Sequence, residues 1–159
     1  MKTLEYRTID KAGWGNGPWN DEPDKKQWQD EATGLPCLIV RNEHLGFLCG
    51  YVGVSRSHPL HGKSYDDDAA RDLEVHGGLT FASKCMPERQ EDHGICHKVE
   101  PGEDDDVWWL GFDMGHVRDL APSSSYGYKL EVGDRDTYRD FAYVANQCAK
   151  LAQQLAALQ

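Results

Sequence analysis

Two short stretches of the chain carry residue types that packing alone does not select. One is Glu74-Val75-His76-Gly77-Gly78; the other runs from Gly111 through Asp113, His116 and Asp119. Alternate side chains of a strand share a face. A strand over Leu73–His76 would therefore present Glu74 and His76 together and turn Leu73 and Val75 into a core. The same parity puts Val107, Trp109, Gly111 and Asp113 on one face of a later strand, and Trp108, Leu110 and Phe112 on the other. His116 and Asp119 follow at spacings of three, compatible with a helical turn that presents both beside Asp113. If the two strands are neighbours, Glu74, His76, Asp113, His116 and Asp119 converge. Mixed imidazole and carboxylate sets suit a divalent metal, either zinc or the harder manganese or iron. On that reading His76, Asp113, His116 and Asp119 are ligands. The metal would lower the pKa of a bound water from roughly 16 to about 7, and Glu74 would act as general base. Two other readings compete: a hydrogen-bonded network in which Asp113 and Asp119 cap the turn, and a metal-free ligand site.

Further chemistry is carried by His58-Pro59-Leu60-His61-Gly62-Lys63. His58, His61 and Lys63 would contact an anionic ligand at the rim of the site; an ordinary exposed turn explains the same residues. Trp109 would wall a pocket or stack a planar ligand, and Trp108 would join the core. Cys85, Cys96 and His97 do not have a recognised zinc-finger spacing, so a structural zinc and two close cysteines without metal both remain open. No P-loop, dinucleotide fingerprint or nucleophile elbow is present.

The elements that must position these residues read as α+β. The first 34 residues are polar and broken by glycines, and read as an irregular arm pinned by Trp14, Trp19 and Trp28, with a short helix over Pro23–Glu31. Cys37–Val40 and Gly46–Val54 predict a hairpin around Asn42-Glu43-His44. A strand through Leu73–His76 continues toward Ala82, and another spans Val107–Phe112. Thr137 to Asp140 has capping-box spacing. Phe141, Val144, Ala145, Cys148, Leu151, Ala152 and Leu155 then recur at helical spacing. The expectation is one domain over residues 1–159: arm 1–34, a mainly antiparallel sheet with loops 35–135, and one long helix within 136–158 packed on the sheet.

Composition limits the partners. The formal net charge is −10, with acidic runs at Asp66–Asp68 and Glu103–Asp106. No basic stripe is present to displace counterions, so nucleic acid is not expected. No apolar stretch has membrane-spanning length, and the first residues lack the apolar core of a signal peptide. The expected location is cytoplasmic. There, five cysteines argue for free thiols or metal ligands over a disulfide framework. An exposed sheet edge would allow a homodimer.

The chain resembles a family of small, uncharacterised proteins of bacteriophages and prophages. The resemblance rests on an ordered set of motifs: Glu22-Pro23-Asp24-Lys25, Thr33–Leu38, Cys49–Val52, His58-Pro59, Val75–Thr80, Ile95–His97, Asp106–Asp113, His116, Asp119 and Tyr138–Asp140. It implies a phage context, with the host cytoplasm as location, and no catalytic roles. Three functions follow from the residues: metal-dependent hydrolysis of a small phosphorylated or nucleotide-like molecule, metal-free sequestration of a small molecule, or an acidic adaptor that binds a host protein.

Overall fold

Short apolar runs with alternating burial build six strands. The computed structural model describes residues 1–86, 91–125 and 136–159. The strands are β1 (Leu4–Tyr6), β2 (Lys25–Gln29), β3 (Pro36–Arg41), β4 (Leu48–Val54), β5 (Phe81–Lys84) and β6 (Trp108–Asp113). They form one antiparallel sheet in the order β1-β2-β3-β4-β6-β5. A four-residue helical turn, α1 (Pro122–Ser125), precedes the long helix α2 (Phe141–Ala156). The expected α+β architecture is what the chain adopts, with the C-terminal helix lying on the sheet.

Strand parity decides which side chains meet that helix. Cys37 and Ile39 of β3, Leu48, Val52 and Val54 of β4, and Leu110 and Phe112 of β6 pack with Val144, Cys148, Leu151, Ala152 and Leu155 of α2. Each such Leu or Val, once fully buried, contributes roughly 1.5–3 kcal/mol. Leu38, Tyr51 and Trp109 point to the opposite face, where Val107 and Ile95 join them. The expected β3–β4 hairpin is present. Its turn is closed by Asn42, whose backbone N–H donates to Phe47 O at 2.8 Å and whose Oδ1 accepts from the N–H groups of His44 and Leu45.

Three local expectations change. Pro23–Glu31 is not helical but contains β2, so the first 34 residues supply two strands of the sheet as well as an irregular arm. The polar side chains of β2 hid its strand character. Lys25 and Gln27 are buried because carbonyls of the 91–98 segment receive their N–H groups. Leu73–His76 is irregular chain outside the sheet that runs into a turn at His76, and the strand begins only at Phe81. The α2 N-cap is Asp140, whose side chain accepts from Tyr143 N at 2.8 Å; Thr137 instead forms a parallel bridge with Asp119. Residues 87–90 of the polar excursion and 126–135 of the expected sheet-and-loop region lie outside the described residues.

Candidate functional site

The segment carrying His76 is held by the long helix and not by a neighbouring strand. Glu74 N–H donates to Gln154 Oε1 at 2.7 Å, and Gln154 Nε2 returns a bond to Glu74 O at 2.8 Å. His76 N–H donates to Gln147 Oε1 at 3.0 Å. Two glutamines seven residues apart share a helix face and satisfy backbone groups that a sheet would otherwise pair. Without a strand, the parity argument for Glu74 fails. The Glu74 side chain is 83% exposed, and its charged neighbour is Lys150, 4.0 Å away.

His76 does meet the second segment. Its Nε2–H donates to Asp119 Oδ2 at 2.7 Å, and its Nδ1 accepts from the Tyr143 hydroxyl at 2.9 Å. The carboxylate sets this tautomer, since it can only accept. Asp119 is 1% exposed and fully engaged: Oδ2 also accepts from His116 N–H at 3.1 Å, and Oδ1 accepts from Arg139 Nε at 3.2 Å. The Arg139 guanidinium lies 4.8 Å from the centre of the Tyr143 ring. Arg118, in the left-handed region at φ 72°, turns the chain between His116 and Asp119. Such a conformation in a non-glycine residue costs of order 1–3 kcal/mol.

Asp113 joins from the end of β6. Its Oδ2 accepts from Thr80 Oγ1 and its Oδ1 from Gly115 N–H, each at 2.9 Å. His116 Nε2 approaches Asp113 Oδ1 at 3.3 Å, but that buried nitrogen has no aligned hydrogen-bond partner among the described residues. The His76 and His116 rings are 6.1 Å apart between centres. Gly77, at φ 68°, is required here, because a Cβ would run into the His116 ring.

His76, Asp113, His116 and Asp119 are therefore brought together, and Glu74 is not. Two of the four are tied up in hydrogen bonds. Both His76 nitrogens and both Asp119 oxygens are already spent on one another, Tyr143, Arg139 and His116 N–H. Among the described residues no group of three or more His, Cys, Asp or Glu side chains is arranged to hold a metal.

The residues expected at the rim go elsewhere. His58 is buried; it donates through Nε2 to Leu155 O at 2.8 Å, and its Nδ1 accepts from Leu60 N–H. It caps the end of α2 and has no ring nitrogen left for a ligand. His61 lies against Trp108 and 3.3 Å from Asp106, and Lys63 is exposed, its carbonyl accepting from Trp108 Nε1. Trp109 walls no open pocket. It is fully buried on the sheet face opposite α2, edge-on to His97, with its indole N–H unpartnered among the described residues. Cys85 and Cys96 form a disulfide with Cα atoms 4.8 Å apart, which leaves Cys37, Cys49 and Cys148 as thiols. The expectation against disulfides followed from an odd count, and a count carries no information about proximity.

Sequence reasoning missed Tyr143, Arg139 and Gln147. They recur every four residues, a polar stripe along one side of α2 and the turn before it. That stripe was the available signal.

A second polar cluster, also missed, lies at the start of α2. Asp24 Oδ1 accepts from Arg41 Nε at 3.0 Å and from Lys11 Nζ at 2.6 Å; Oδ2 accepts from the N–H groups of Thr8 and Ile9. Burial pushes the Asp24 carboxyl up, but the Lys11 and backbone donors outweigh it and hold the group below its usual range. Glu22 accepts from Tyr138 OH and from Phe141 N–H, each at 2.6 Å.

No helix among the described residues is long and apolar enough to cross a membrane. Comparison with protein-family models, with curated proteins and with solved structures returns no match.

Proposed function

We propose that the chain binds a small anionic molecule, of the phosphate or carboxylate class, at the His76–His116–Arg139 site without a metal. The observation that carries this reading is the closed His76–Asp119–Arg139 circuit. It spends the groups that would ligate a metal and leaves the two outer guanidinium nitrogens of Arg139 without a protein partner among the described residues. Those nitrogens form a planar fork that matches carboxylate and phosphate oxygens. His76 is 14% exposed and Arg139 29%, so the site opens at its rim while Asp119 stays dry. The resemblance to phage-encoded proteins suits a role in sequestering a host small molecule.

Thermal-shift and calorimetric titration of chelator-treated protein tests this, with inorganic phosphate, nucleoside monophosphates and dicarboxylates as probes. A saturable rise in Tm is expected, and Arg139→Gln should abolish it. No response to any probe, an unchanged response in Arg139→Gln, or a response only with added metal would overturn the reading.

A second reading, acid–base turnover of the bound molecule, is favoured by the Tyr143–His76–Asp119 relay. Asp119 orients His76, and His76 Nδ1 takes the phenolic proton as the tyrosine oxygen attacks the phosphorus of a phosphomonoester. The P–O bond to the leaving alkoxide breaks, the alkoxide takes the imidazolium proton, and water then hydrolyses the phosphotyrosine to phosphate and free Tyr143. Tyr143→Phe then keeps binding and loses turnover of a phosphomonoester.

A further inference from the structure

At one end of the sheet, where β2 turns into β3 and β4 runs out, a slot opens that the His76 site does not use. It encloses about 290 Å³, at the lower end of the roughly 300–1,000 Å³ of small-molecule sites. Its walls are mostly apolar. Leu35 and Pro36 come from the β2–β3 turn and the start of β3, Val54 from the end of β4, and Val107 from the residue before β6. Leu35 and Val54 belong to the core under α2 and Val107 to the core on the other face, so packed side chains back the slot on both sides of the sheet.

Two kinds of polar group face this space. His97 lines it edge-on to Trp109, with ring centres 5.4 Å apart, and its ring makes no hydrogen bond among the described residues. Burial pushes the imidazole below its ordinary value; Asp105 and Glu103 draw it back up, and Lys25 and the Met1 ammonium push it down again. The ring is therefore neutral near pH 7, with one nitrogen able to accept. The rim is acidic. Glu103 and Asp104 line it, and an ammonium already sits there: Met1 N lies 2.5 Å from Glu103 Oε1, while Glu103 Oε2 accepts from Glu100 N–H at 3.0 Å. Glu103 is thereby spent. Asp104 is exposed and, among the described residues, uses only Oδ1, which accepts from Asp106 N–H at 2.9 Å. Such a rim repels an anion. A neutral imidazole acceptor beside a free carboxylate oxygen matches the N–H groups of an ammonium.

We propose that this slot is a second ligand site, and that it takes a small primary amine with a flat apolar body. The body lies against Leu35, Pro36, Val54 and Val107. The ammonium donates to the His97 imidazole and to Asp104 Oδ2. The charge class is opposite to that of the His76 site, so the two ligands do not compete.

The probe is 2-phenylethylamine, titrated by isothermal calorimetry at neutral pH, with 3-phenylpropionate as an anion of similar shape. One saturable site for the amine and none for the acid is expected. His97→Phe keeps a ring against Trp109 and removes the acceptor; it should raise the dissociation constant by at least about tenfold. Asp104→Asn keeps an oxygen for Asp106 N–H and removes the charge; it should weaken the amine about two- to fivefold, the scale of an exposed ion pair. Ser55→Trp, at an exposed position on the slot's edge, fills the space and should abolish binding; it decides alone if His97→Phe loses its cooperative melting. Arg139→Gln should leave the titration unchanged. Four results overturn the proposal. One is heat from the amine that never saturates. Another is equal binding of the acid. The third is an amine affinity unchanged in any folded slot variant. The fourth is loss of the amine in Arg139→Gln, which would put it at the His76 site instead.

Discussion

Replacing Asp24 by Asn tests whether the buried charge cluster holds the N-terminal arm in place. The substitution keeps the shape and removes the charge. Its amide cannot be oriented well. On the Oδ1 side it faces Arg41 Nε at 3.0 Å and Lys11 Nζ at 2.6 Å; on the Oδ2 side it faces Thr8 N–H at 2.8 Å and Ile9 N–H at 3.0 Å. All four are donors, so the NH₂ group meets donors either way. The Arg41 side chain is fully buried and, among the described residues, keeps only Glu22, 3.6 Å away, as a counter-charge. Leaving a buried charge without its partner typically costs about 3–5 kcal/mol, a large share of the roughly 5–15 kcal/mol that holds a domain folded. For a chain of this length the melting temperature should fall by about 6–20 °C. Urea unfolding should show a lower midpoint with an unchanged slope. The sign of the pH dependence follows from the carboxyl being held below its unfolded value. Asp24 stabilises the fold above the ordinary carboxylate range, and that share is lost as pH falls through the folded value. Asp24→Asn should lack that part of the acid transition. A loss below about 1 kcal/mol, the scale of an exposed pair, would refute the reasoning.

Two further outcomes follow from burial. His58→Ala removes two hydrogen bonds and leaves Leu60 N–H unpaired, while Leu155 C=O keeps its bond from Leu158 N–H. Urea unfolding should therefore show a loss of roughly 1–3 kcal/mol, while ligand affinity at Arg139 stays unchanged; a weaker ligand response would return His58 to the binding site. In alkali, stability should peak near pH 8–9 and then fall. Burial holds the Lys25 ammonium down to about 8, so between 8 and the ordinary lysine value of 10.5 the unfolded chain binds more protons and stability rises with pH. Burial pushes the Cys37 and Cys49 thiols from 9.0 up to about 12 and the Cys148 thiol well up too, so above 9 the unfolded chain binds fewer protons and three groups now outweigh one. Cys37→Ala should flatten the fall measured by urea titration at successive pH values.

The parts of the fold that could be read from sequence were those with an apolar rhythm. The β3–β4 hairpin, β6 and the α2 core stripe each declare their period, and Val107–Phe112 even declared which residues face which layer. Strand β2 did not, because Lys25 and Gln27 are buried by carbonyls more than sixty residues away. The same limit governs the site. His76, Asp113, His116 and Asp119 were recognisable as polar residues out of place. That Asp119 would turn inward to His76 and Arg139, closing the circuit on itself, depends on the left-handed turn at Arg118 and on the parallel bridge to Thr137. Trp109 was assigned to the correct face; no local pattern says that the 91–107 segment folds over that face and buries it.

The stretch from Thr137 to Tyr143 joins the two polar clusters. Thr137 bridges to Asp119. Tyr138 turns to the arm, where its hydroxyl donates to Glu22 and accepts from Arg41 Nη1 at 2.9 Å. Arg139 turns the other way, to Asp119. Asp140 caps the helix through Tyr143 N–H, Phe141 N–H returns to Glu22, and the Tyr143 hydroxyl reaches His76. Residues of this stretch therefore bond to the arm's charge cluster and to the His76 site in turn, which links the two through one short run of backbone. A buried ion cluster of this kind is seldom the cheapest way to stabilise a core. Its placement gives it a second role, which is to fix where α2 begins. The positions of Arg139 and Tyr143 at the rim follow from that start, and they depend on an arm whose sequence shows little beyond glycines and tryptophans.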